Sequence, residues 1–159
     1  NCKGVTAVDE SRLTRTEQRL INTSGFPIDL VCNLTTDYNG NFAANGGVLT
    51  QVTLWARSNT GDGSATISCI MKDGFYNAPG SGTYQPTGGN PVALAASGHQ
   101  AAITWKAINY GGDLAAFRFL SPANIRCTLS DKTEVNDWMV EYNDYAPPAF
   151  TLPGNWQKK

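Results

Sequence analysis

A chain of 159 residues is long enough for one domain with a full hydrophobic core. Only 16% of its residues are charged, against roughly 25% in an ordinary soluble domain, and the net charge is −1 with no cluster of Lys or Arg. That balance argues against nucleic acid and anionic membrane surfaces as partners, and no apolar run approaches the roughly 20 residues of a membrane span.

The chain opens on Asn1 and reads as an exported chain whose leader has been removed. Gly4–Val8 has the composition of a short strand, and 9–13 that of a helical turn. A strand is expected over Glu17–Asn22, followed by a turn at Thr23-Ser24-Gly25. Phe26–Thr36 is the first of three strands built on one phrase, in which apolar residues flank a cysteine at a spacing of two. The other two are Ser64–Lys72, containing Ile67-Ser-Cys69-Ile-Met71, and Ile125–Ser130, containing Ile125-Arg-Cys127-Thr-Leu129. Side chains two apart on a strand share a face, so each phrase turns its thiol and its apolar groups toward one core.

Between these strands, Val48–Ser58 alternates, with Val52, Leu54 and Ala56 on one face and Thr53, Trp55 and Arg57 on the other. The glycine-rich 59–63 is expected to close a hairpin. Residues 74–90 read as a long loop. Pro91–Ala96 and Gln100–Ile108 read as a hairpin, and Leu114–Leu120 as a strand. Glu134–Tyr142 is the last strand, with a mixed pattern: Trp138, Val140 and Tyr142 share a face while Val135 falls opposite. About nine short strands with frequent turns predict an all-β, antiparallel two-sheet sandwich of the jelly-roll or immunoglobulin-like kind over residues 1–143. Residues 144–159 form a Pro-rich tail whose Phe150, Leu152 and Trp156 are expected to pack on the chain's own sandwich or on a neighbouring subunit.

Four cysteines, widely spaced and without a C-x-x-C pair, predict two disulfides and an oxidising compartment, hence a secreted, extracellular or cell-surface protein. The matching phrases favour Cys69–Cys127, which leaves Cys2–Cys32 to pin the N-terminus; the other two of the three pairings stay open. If direction alternates strand by strand, all three cysteine strands run the same way, so that Cys69–Cys127 crosses between sheets. The same alternation gathers the loops 37–47, 74–90 and 109–113, with the turn 131–133, at one end.

That end carries the candidate ligand-binding residues Tyr38, Phe42, Phe75, Tyr76, Tyr84 and Tyr110, flat faces suited to a glycan. It also carries Asp37, Asp73 and Asp131, oxygen ligands that calcium would accept. Trp55 with Thr53 and Arg57 offers a second flat platform for a sugar. Asn22 and Asn33 stand in N-glycosylation sequons. The single histidine, His99, sits in a Ser-Gly-His turn with no nucleophile motif, so catalysis is not expected, nor a cofactor other than calcium. Two functions fit: a self-associating structural subunit of an extracellular filament, sheath or surface layer, or a carbohydrate-binding module.

Overall fold

The computed structural model describes residues 2–34, 47–59, 63–73, 82–96, 99–106, 109 and 123–144. They form two antiparallel sheets that share one core, a β-sandwich. The first sheet has the order β1-β4-β10-β6-β7: β1 is Cys2–Gly4, β4 Ile28–Leu34, β10 Ala123–Leu129, β6 Thr66–Asp73 and β7 Gly82–Tyr84, and β8 (Val92–Ala93) also pairs with β6. The second has the order β2-β3-β11-β5-β9, formed by Leu13–Arg15, Leu20–Asn22, Thr133–Asp144, Gly47–Ser58 and Ala101–Lys106.

Alternation builds the first sheet. Along β4 the odd-spaced Asp29 and Asn33 are exposed while Ile28, Leu30, Cys32 and Leu34 are buried. Register then stacks inward residues in rows: Ile28–Leu129–Ile67, Leu30–Cys127–Cys69 and Cys32–Ile125–Met71. Burying each of these large side chains stabilises the fold by roughly 1.5–3 kcal/mol. From the opposite sheet, Ala56, Leu54 and Val52 on β5 meet them, with Ile103 and the wholly buried Trp105 on β9. The indole N–H of Trp105 donates to the Tyr84 carbonyl at 3.0 Å, so its polar atom is satisfied within the core edge.

Both expected disulfides form, Cys2–Cys32 and Cys69–Cys127. Their geometry corrects the inter-sheet expectation. Cys127 lies directly opposite Cys69, and Cys2 opposite Cys32, on hydrogen-bonded neighbours within one sheet. The central β10 is antiparallel to both β4 and β6, so the three cysteine strands do not run the same way. The alternation argument fails between β8 and β10. Strands β6 and β8 run oppositely as expected, but β10 runs with β8 rather than with β6.

Other local expectations are corrected as well. The N-terminal stretch continues past β1 as a helix, α1 (Ala7–Arg12), because Thr6 and Asp9 form a reciprocal capping box. Gly4 is required beneath it, since a Cβ there would collide with the backbone of Glu10. Of the expected strand 17–22 only Leu20–Asn22 is strand, β3; it pairs with β2 as a hairpin whose turn is closed by Thr16 N–H donating to Arg19 O. The segment 74–90 contains a strand, β7. β8 and β9 lie in different sheets and do not form a hairpin, and the connection 59–63 likewise joins two sheets. The expected strand 114–120 and the tail 145–159 lie outside the described residues.

Candidate functional site

The two sheets are stitched at the end where β3 and β10 finish. There Asn22 is wholly buried, and its Nδ2 donates to the carbonyls of Phe26, Leu129 and Ser130 at 2.8, 3.1 and 3.0 Å. Its Oδ1 accepts from the Ser24 N–H and hydroxyl. The nitrogen a glycan would need is therefore committed to the fold, which removes Asn22 as a glycosylation site. Asn33, by contrast, is exposed on the outer side of β4.

The aspartates do not converge. Asp73 closes β6 opposite Ala123, at the start of β10, whereas Asp131 follows the end of β10. The six residue steps of β10 between those levels span about 20 Å. Asp131 instead uses Oδ1 to accept the Gly25 N–H at 2.9 Å. Asp73 and Asp131 thus share no calcium site, and the turn at 131 belongs to the opposite end from the one expected. Asp37 lies outside the described residues, and among the described residues no three His, Cys, Asp or Glu side chains gather around a metal position.

Of the six loop aromatics, Tyr84 alone is among the described residues; Tyr38, Phe42, Phe75, Tyr76 and Tyr110 lie outside them. Tyr84 stands on β7, not in a loop, and packs against the core. Its ring fills the place where Gly82 lacks a side chain. Trp55 is half-buried on the outer face of β5, next to a Thr53 that is buried rather than presented.

Two features of the second sheet carry more. The first is the edge of β11. This strand pairs with β5 along nearly its whole length but with β3 only over Thr133–Val135. Beyond Val135 a bulge at Asn136 shifts the register, so that both Val135 and Trp138 stand opposite core positions, Ala56 and Leu54. The bulge accounts for the mixed hydrophobic pattern of this strand. From 137 to 144 its outer edge has no strand partner among the described residues.

The second feature sits where β3 stops and the bulge begins. The β2–β3 turn borders an open cleft of about 760 Å³ that is lined from both sheets, by Cys2 of β1 as well as by Arg15, Glu17, Arg19, Arg57 and Asn136. Behind it lies Glu134, on the outer face yet wholly buried. Arg57 donates Nε to Glu134 Oε1 at 3.0 Å and Nη2 to Oε2 at 3.3 Å, while Arg19 Nε lies 3.3 Å from Oε1. Removing a carboxylate from water costs several kcal/mol, and two guanidiniums offset that cost here. Arg15 is held differently, by Glu10 and by the Cys2 carbonyl. The Asn136 Oδ1 atom is enclosed and accepts no hydrogen bond from the described residues. Sequence reasoning missed this cluster except for Arg57, because arginines and glutamates on an outer face read as solvated. The sequence signal was the sequon-free stretch Arg15–Arg19, with two arginines four apart around a short turn.

Compared with known protein families and with curated proteins, the chain matches none of them.

Proposed function

We propose that the chain is a non-catalytic, exported β-sandwich that serves as a subunit of an extracellular assembly, and that copies join along the outer edge of β11. The observation that carries this reading is the run from 137 to 144, a strand edge of eight positions with no partner among the described residues. A long unpaired edge is a template for another strand. An antiparallel edge complements itself, so the partner is a second copy related by a two-fold axis. The low charge, the two disulfides and the apolar residues Phe150, Leu152 and Trp156 that follow β11 in sequence support the same reading. The tail would then cover the neighbour.

Light scattering on the native protein tests this. A mass at a multiple of 17.1 kDa, with regular particles in negative stain, is expected; a monomer of 17.1 kDa overturns the proposal. Proline at Met139 and at Val140 sharpens it. Successive N–H groups on a strand point to opposite edges, so one substitution removes a donor from the open edge and the other breaks the pairing with β5. The first should yield a folded monomer, the second an unstable protein.

A further inference from the structure

The cleft beside the β2–β3 turn lies where the open edge of β11 runs out, and we infer that it holds residues 145–149 of a second copy, Tyr-Ala-Pro-Pro-Ala. The inference rests on the pairing of two β11 edges proposed above. Two copies that pair over the whole of 137–144 run antiparallel, so Asp144 of one lies beside Asp137 of the other. The chain after Asp144 then heads for the neighbour's Asn136. It cannot continue along the edge, because Thr133–Val135 is already paired with β3. It has to leave the sheet at the bulge, and the cleft opens there, with Asn136, Val135 and Leu20 in its lining. Pro147 and Pro148 agree with this register, since neither has an N–H for a ladder and pairing must stop before them. The chain's own segment cannot take the place. The seven steps from Asp137 to Asp144 span about 23 Å, whereas the five residues from Asp144 to Ala149 reach about 18 Å at most.

The chemistry of the cleft selects the same segment. Its charges balance: Arg19 and Arg57 stand against Glu134 and Glu17, and Arg15 is matched by Glu10, which suits a neutral ligand. Its free donors outweigh its free acceptors. Among the described residues, Nη1 of Arg57, both Nη atoms of Arg19 and the amides of Gln18 and Gln100 make no hydrogen bond. The Glu17 carboxylate and the two amide oxygens are the acceptors beside them. A Pro-Pro segment is the matching peptide, because it presents carbonyls and withholds N–H groups. Consecutive prolines favour the extended polyproline form, whose carbonyls make no internal hydrogen bonds. Leu20 and Val135 give the proline rings an apolar floor, and Glu17 is left for an N–H outside the proline pair. A volume of about 760 Å³ lies within the roughly 300–1,000 Å³ of clefts that hold ligands.

Photo-cross-linking of the full chain tests the inference. Gln18→p-benzoylphenylalanine sets the label in an exposed turn, and isotopically light and heavy chains are assembled together. Light scattering reports the mass, while circular dichroism and a free-thiol assay establish that each variant is folded and oxidised. The label should link to residues 145–149 and should join chains of different isotope content. Gln100→Glu, at an exposed side chain, exchanges donors for an acceptor that opposes the peptide carbonyls. It should leave the particle mass unchanged and lower the cross-link yield severalfold. Links confined to one chain, links that land elsewhere, or a yield that Gln100→Glu leaves unchanged overturn the inference. If the mass is then still a multiple of 17.1 kDa, the assembly reading stands without it. A monomer of 17.1 kDa overturns both.

Discussion

The two sheets solve the same problem by different means. In the first, the central β10 is paired along its whole length with both β4 and β6, and both disulfides lie between neighbouring strands on the core side. In the second there is no cysteine. Its β11 and β5 and the β2–β3 turn are clamped instead by Glu134 between Arg19 and Arg57, and β11 beyond Val135 has no strand partner on its outer edge among the described residues. Covalent links tolerate salt and extremes of pH, whereas an ionic clamp can be loosened by either. The first sheet therefore acts as frame, and the second, adaptable one presents both candidate interaction features.

The largest expected effect comes from breaking the frame. Replacing Cys69 and Cys127 together by alanine should cost roughly 3–5 kcal/mol, enough to remove much of the stability of a domain this size. Loop-length entropy alone ranks this bond above Cys2–Cys32 by about 0.6 kcal/mol, from sequence separations of 58 and 30. Urea unfolding of the two double variants checks the order. Equal or reversed midpoints would show that native packing around Cys2, and not chain closure, sets the difference.

The clamp should matter less than the frame and still be measurable. Glu134→Gln keeps the shape and removes the charge, leaving two guanidiniums without a counter-ion. Breaking a buried ion pair costs roughly 3–5 kcal/mol; about 2 kcal/mol is expected here, because the arginine side chains are 44% and 29% exposed and keep part of their water. The same substitution should free the β2–β3 hairpin, raising hydrogen exchange at Leu20–Asn22 while β4, β10 and β6 stay protected. A uniform rise across both sheets would mean that the two do not differ as argued.

How far these features were legible in the sequence depends on the symmetry of the signal. The phrase apolar-x-Cys-x-apolar reads alike in both directions. It fixed which face Cys32, Cys69 and Cys127 take, all inward, but carried no information on strand direction. The disulfide pairing was therefore correct, while its inter-sheet geometry was not. The bulge at Asn136 was visible only as a defect, the misplaced Val135, because a period of two has no way to express one inserted residue. Asn22 matched a glycosylation pattern, yet its burial follows from where β10 ends, 107 residues away at Leu129. The Glu134 cluster joins two strands and a turn distant in sequence, and no local pattern separates a clamped outer-face carboxylate from a solvated one.

The smallest expected effect is a pH response confined to the N-terminal cap that the first sheet holds through Cys2. The Gly4 N–H, and then the Arg15 side chain, hold the Glu10 carboxyl below its ordinary value of 4.5. The Thr6 hydroxyl, more than any other partner, does the same for Asp9, whose ordinary value is 3.8. A carboxyl lowered in the folded state binds protons more readily once released, so its contribution is complete above the ordinary value and is lost as pH falls through the lower folded one. Both groups are only partly buried, and solvent screening keeps the effect local. Hydrogen exchange at Gly4 and Thr6, corrected for the intrinsic rate, should accelerate between neutral pH and about pH 3, where carboxylates protonate. β4 should not change, since Cys2–Cys32 still anchors the strand beneath. Glu10→Gln should show the accelerated Gly4 rate already at neutral pH. If Gly4 stays protected at both pH values and in that variant, the disulfide alone holds the cap, and the carboxylates only decorate it.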